Sequence, residues 1–172
     1  MKVELKNVKV NLEFSEETIM FRAVLYINNK PAAYCENDGH GGSTHYHAID
    51  QRGKELLKEF EAYVDLLPER NCGDFKYKLY GSDYIDDLIN DYIKKKDEQK
   101  FEKKLQKMMV NSIVVGNDTE YVYRQFSTSI ADIQKKQPYL IRKNISEMLD
   151  KHKDKNYRLL NTNISYDTLV VE

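Results

Sequence analysis

His40, His45 and His47, three of the four histidines in the chain, lie close together beside Asp38 and Asp50. Imidazoles two residues apart on a strand project from one face. Pairs of that kind ligate metals when a loop supplies a third ligand, and Cys35, Asp38 or His40 stands near enough in sequence to do so. The same stretch contains Asn37-Asp38-Gly39-His40-Gly41-Gly42. Glycines let backbone N–H groups approach a ligand without side chains in the way. Asn37, Asp38, Gly39, His40, Gly41, Gly42, His45 and His47 are therefore the candidates for contact with a ligand or partner. With an acid, His40, His45 and His47 would suit a metal-dependent hydrolase or nuclease. A plainer reading stands beside it. Asp-Gly and Gly-Gly are ordinary turn chemistry, and a glycine turn between two strands needs no ligand.

Other chemistries fit less well. No G-x-x-x-x-G-K-[ST] run occurs, and Gly39-His40-Gly41-Gly42 is not G-x-G-x-x-G. No helix is expected to start at the end of this loop, so the helix-terminus part of phosphate binding is missing. Ser43 with His45, or Cys35 with His47, would be a nucleophile and a base, but nothing beyond proximity pairs them. No catalytic residue is assigned, and no cofactor other than a metal ion is suggested.

The elements that would position these residues follow from hydrophobic spacing. Val8, Val10, Leu12 and Phe14 alternate with polar residues, as do Ile19, Phe21, Ala23, Leu25 and Ile27. Period two predicts strands with one buried face. Ser15-Glu16-Glu17 reads as a turn, and Asn28-Asn29 suits a tight hairpin leading to a third strand over 30–36. Thr44, Tyr46 and Ala48 would then face one way on a fourth strand, and His45, His47 and Ile49 the other. From Leu56 to Leu67 the period changes to that of a helix, ended by Pro68 and laid across the meander's apolar face.

Asn71-Cys72-Gly73-Asp74 reads as a turn. Ser82-Asp83 caps a second helical stripe from Tyr84 to Ile93. The charged run 94–104 leaves open one long helix or two divided near Asp97. Ile113–Val115 and Tyr121–Phe126 flank a hairpin turn at Gly116-Asn117-Asp118. Short helices are expected over 129–136 and after Pro138. The tail ending in Leu169-Val170-Val171 reads as an edge strand or a loose end. The fold class is thus α+β. An N-terminal antiparallel β-meander packs on an amphipathic helix, followed by a mostly helical part with a second short hairpin. One domain over 1–172 is expected, with the meander and loop in 1–50 and the helical portion in 51–172.

Bulk properties narrow the function. Charged residues are 32% and hydrophobic ones 41%, the balance of a soluble globular chain. A net charge of -1 gives no global attraction to nucleic acid or membranes. Local lysines at 94–96, 100, 103, 104 and 107, together with Lys135-Lys136, Arg142-Lys143 and Lys151 to Lys155, could still contact nucleic acid, although interleaved acids favour a solvated helix face. Asp86, Asp87 and Asp91 read as helix-start carboxylates rather than a metal site. The 13 tyrosines suit a protein-binding surface or the rim of a core. Cys35 and Cys72 read as reduced thiols. Neither a secretory leader nor a membrane span is apparent, so a reducing intracellular compartment is expected.

From Tyr26 to Tyr46 the chain reads Y-I-N-N-K-P-A-A-Y-C-E-N-D-G-H-G-G-S-T-H-Y. This run resembles a group of small bacteriophage and prophage proteins with an N-terminal β-meander and an N-D-G-x-G-G loop. Asp86–Ile89, Lys103–Met109, the short I-V-V strand and Tyr123 extend the resemblance, while the hairpin turn and the tail after Pro138 depart from it. The group carries no activity whose catalytic residues could be transferred. The resemblance implies a phage or mobile-element accessory protein, acting in the bacterial cytoplasm, that binds and inhibits or sequesters a host factor. A non-enzymatic inhibitor of host defence, of the anti-CRISPR kind, is one form of this expectation. The metal-dependent hydrolase and a nucleic-acid or nucleotide binder are the alternatives.

Overall fold

The computed structural model describes residues 1–73 and 75–170, with the side chain of Cys72 left out. The Cys72 thiol, Asp74 of the expected turn and Val171 of the tail therefore lie outside the described residues. The chain is α+β, as its periodicities predict, and gathers into two compact units, Met1–Lys95 and Lys96–Glu172.

The first unit is built on four antiparallel strands in sequential order: β1 (Val3–Val10), β2 (Phe21–Ile27), β3 (Lys30–Asn37) and β4 (His45–Ala48). Asn28 and Asn29 take φ of 48° and 65°, the left-handed pair that matches a two-residue turn to the strand twist. One sheet face buries Phe21, Ala23, Leu25, Ile27, Ala33 and Cys35. Helix α1 (Gln51–Asp65) covers it with Leu56, Phe60 and Val64, and Asp50 caps the helix by accepting from the Gly53 N–H at 2.7 Å. Phe60 meets Tyr46 and Tyr84 edge to face at centroid distances of 6.4 and 5.6 Å. Strands β5 (Arg70–Cys72) and β6 (Phe75–Tyr77) pair with each other.

One expectation shifts here, and one open alternative closes. Leu12 and Phe14 do not continue β1. They lie in a 3-10 turn, 56% and 62% exposed. Polar groups make the turn: Asn11 Oδ1 accepts from the Glu13 N–H at 3.2 Å, and the Ser15 hydroxyl donates to the Asn11 carbonyl at 2.8 Å. Nor does the run around Asp97 break the helix, because α2 extends over Gly81–Met109. Its start lies one residue before the expected cap, and Asp83 reaches back to accept from the Tyr80 N–H at 2.8 Å. Residues of α2 up to Lys95 belong to the first unit, where Ile85 and Ile89 join its core. The first unit runs on from the meander to Lys95 because α1 and early α2 close the sheet's apolar face.

The second unit centres on β7 (Ser112–Gly116), paired with β8 (Tyr121–Gln125) and, at Val115 and Gly116, with the two-residue β9 (Arg158–Leu159). All five residues of β7 are buried. Ile113 and Val115 pack with Ile130 and Ile133 of α3 (Ile130–Lys136) and Ile141, Ile145 and Met148 of α4 (Pro138–Lys151). Val114 faces Leu105 and Met109 at the end of α2. A strand covered on both sides reads as a continuous apolar run, which I-V-V is. Among the described residues, the tail forms β9 and the short α5 (Tyr166–Leu169).

Candidate binding groove beside the glycine loop

The loop after β3 is organised by Asn37, which is only 5% exposed. Its Oδ1 accepts from the Thr18 hydroxyl at 2.8 Å and from the Gly39 N–H at 2.9 Å. Its Nδ2 donates to the Gly42 carbonyl at 2.9 Å and to Thr44 Oγ1 at 3.2 Å. Thr44 in turn donates to Asp86. The Gly39 carbonyl accepts from three successive N–H groups, those of Glu16, Glu17 and Thr18, at 3.0, 3.2 and 3.3 Å. Gly39 has φ of 90°, and a Cβ there would stand 2.6 Å from the Phe14 carbonyl oxygen. Glycine is required at that position.

This network decides what the loop can bind through its backbone. The N–H groups of Gly39, His40 and Gly41 already donate to Asn37 Oδ1, Asp38 Oδ1 and Thr18 Oγ1. They are not a vacant cradle for an anion. Gly39 and Gly41 instead fasten residues 16–18 to the end of β3.

The histidines separate. His40 Nδ1 lies 3.2 Å from Glu16 Oε2, an exposed contact that is an ion pair only when the ring is protonated. His45 and His47 share the outer face of β4, His45 opposite Glu36 and His47 opposite Tyr34. Among the described residues, no group of three or more histidines, cysteines, aspartates or glutamates is placed to hold a metal ion. Cys35 is buried, and burial pushes its thiol up to about 12. It sits opposite Tyr46 on the inward face, whereas His47 faces outward, so the two do not form a nucleophile and base. Asp86 and Asp87 also have separate partners, Thr44 and Arg70.

An open groove of about 610 Å³ lies at this end of the sheet. Val10, Met20 and Phe21 supply apolar wall, and Lys9, Arg22, Glu36, Asp38 and His45 supply charge and hydrogen-bonding groups. Register explains the gathering. Lys9 stands opposite Arg22, Arg22 opposite Glu36, and Glu36 opposite His45, one residue from each of four strands in a single outward row. Arg22 Nε and Glu36 Oε2 are 3.4 Å apart with both side chains largely exposed, so water screens their attraction. Asn37, Asp38 and His45, of the residues singled out from sequence, line the groove; Gly39, His40, Gly41, Gly42 and His47 do not. Lys9 and Arg22 escaped sequence reading although both occupy the polar phase of their strands. Leu12 and Phe14, which follow the groove residue Asn11, were drawn into the apolar phase instead.

Among the described residues no helix is long and apolar enough to cross a membrane. Compared with protein-family models, with curated proteins and with solved structures, the chain matches none.

Proposed function

We propose that the protein is a non-enzymatic binding protein that docks a host protein at this groove and so inhibits or sequesters it. The observation that carries this reading is the turn at Leu12–Phe14. It exposes two large apolar side chains, and its backbone is fixed by Asn11, Ser15 and the knot around Asn37. Exposed apolar anchors on a rigid frame, beside groups of both charge signs, suit a polypeptide partner. Mixed charge in the groove suits a phosphate backbone less. The phage or mobile-element setting, the bacterial cytoplasm and a role against host defence rest on the resemblance around the N-D-G-x-G-G loop.

The test places a photo-crosslinking amino acid at position 14, or at position 136 as a control, in the full chain expressed in bacterial cells. One recurrent host protein should be captured from position 14 and not from 136. With the purified partner, L12D/F14D should weaken binding at least about tenfold, the scale of losing two interface anchors. No position-specific capture, or binding that survives L12D/F14D, overturns the reading.

A further inference from the structure

The second unit carries a different concavity, of about 370 Å³, at the outer edge of β8. Its walls follow from two periodicities. Lys104, Lys107, Met108 and Asn111 recur at the spacing of one helix face and its exit turn. Tyr121, Tyr123 and Gln125 alternate along β8 on the sheet face opposite the one that carries Val122 and Arg124. All seven line the concavity with Ser112.

The chemistry of this lining differs from that of the groove in the first unit. No carboxylate contributes to it. Among the described residues neither Lys104 nor Lys107 has a carboxylate within ion-pair distance, whereas Lys100, Lys143, Lys153 and Lys155 each have one. Glu120 and Asp118, the acids just before β8, are engaged by Lys155 and Arg158. The Lys104 ammonium stands 5.7 Å from the Tyr121 ring centroid, and that phenol holds its pKa above the usual lysine value. Phe101 supports Tyr121 from α2 at a ring distance of 5.6 Å. Tyr123 is 55% exposed. Two uncompensated cations, an accessible aromatic ring and neutral amides thus meet in one hollow.

We propose that this hollow binds a nucleotide unit, with Lys104 and Lys107 on its phosphate and its base stacked on Tyr123. Asn111 and Gln125 offer amide donors and acceptors to the base edge or sugar. The volume lies in the range of small-ligand sites. Stacking on an aromatic ring with lysines along the backbone is how single strands are held without sequence preference. A free mononucleotide would present the same chemistry.

The test uses the full-length protein. One arm measures anisotropy of a labelled single-stranded oligothymidylate of about twelve nucleotides, a length within known site sizes. The other follows amide shifts with uridine and adenosine monophosphates. Binding in at least one arm is expected at low salt, falling as salt rises. Y123A should weaken it at least about fivefold, the lower end for loss of one stacked base. K104E/K107E should remove most of it, while K136E, on α3, should leave it within about twofold, since it touches no phosphate. Binding of the oligonucleotide alone makes a strand the source; binding of the monophosphates makes it a free nucleotide. The proposal is overturned by no binding in either arm at low salt. It is overturned equally by binding that survives Y123A and K104E/K107E, or by an equal loss with K136E, which would mean diffuse attraction.

Discussion

Asn37 in the first unit and Asn161 in the second are both buried asparagines whose amides each bond one backbone N–H and one backbone carbonyl; Asn37 also bonds two threonine hydroxyls, and Asn161 the Asn163 side chain. Asn37 joins loops near in sequence, reaching 2 residues to Gly39 and 19 to Thr18. Asn161 works over a longer span. Its Oδ1 accepts from the Val114 N–H, 47 residues away, and its Nδ2 donates to the Ser112 carbonyl, 49 residues away. It extends the pairing of β7 where the two-residue β9 has stopped. Its neighbour Asn163 continues the attachment by donating to the Met109 carbonyl at 2.6 Å. One amide shapes a loop and presents a groove; the other replaces a strand. The difference teaches that a buried amide acquires its role from the backbone groups that lack partners around it.

Truncating the two amides tests that comparison most severely. Asn37→Ala should cost about 3 kcal/mol, because it strips partners from the Gly39 N–H, the Gly42 carbonyl and two hydroxyls. Asn161→Ala should cost about 2 kcal/mol, since it strands one N–H and one carbonyl of a buried strand. Urea unfolding of each variant gives both numbers. Equal and small losses, below about 0.5 kcal/mol, would mean that water replaces the amides and that neither is an organiser.

The glycines sharpen the first half of the comparison. Gly39→Ala should cost about 2 kcal/mol, because it combines a left-handed backbone with an approach to the Phe14 carbonyl. Gly42→Ala should change stability by less than about 0.5 kcal/mol, since nothing lies within 4 Å of its added Cβ. Equally small is the expected effect of L12D/F14D on stability, under about 0.5 kcal/mol in the same unfolding assay, because both side chains are exposed. That pair separates a docking surface from a structural one.

Legibility in sequence divides along the same line. The strands of the meander, the hairpin at Asn28-Asn29 and the helix over Leu56–Val64 are written in local spacing, so period and turn chemistry reveal them. The loop at Asn37–Gly42 was visible for the same reason. Its consequence was not: Thr18 Oγ1 and the N–H groups of 16–18 meet it only after β2 and β3 pair. The row Lys9, Arg22, Glu36 and His45 required register, which is a property of pairs of strands. Leu12 and Phe14 show pattern overruled by polarity, since two side-chain hydrogen bonds curl the chain where alternation would have continued the strand. β9 and Asn161 left almost no local signal, because a two-residue strand has no period.

Asp86 offers the finest test of the polar frame around Asn37, through pH. Its carboxylate accepts from Thr44 at the end of the network. Desolvation raises its pKa above the ordinary aspartate value; the Thr44 hydrogen bond opposes the shift, and nearby Asp83 and Asp87 add to it. A raised folded-state pKa means that the folded protein favours the protonated acid. The associated stability is fully present below the unfolded value of about 3.9 and is lost as pH rises through the folded value. At neutral pH the charge on Asp86 therefore opposes folding. Asp86→Asn keeps an oxygen to accept from Thr44 and removes that charge. The variant should be more stable than the parent at pH 7, and the advantage should vanish as both are acidified below about 3.9. Paired unfolding curves across pH 3 to 7 measure this difference. A variant less stable at pH 7 would show that the Thr44 hydrogen bond to a full charge outweighs desolvation, and that the network around Asn37 is held together by an ion.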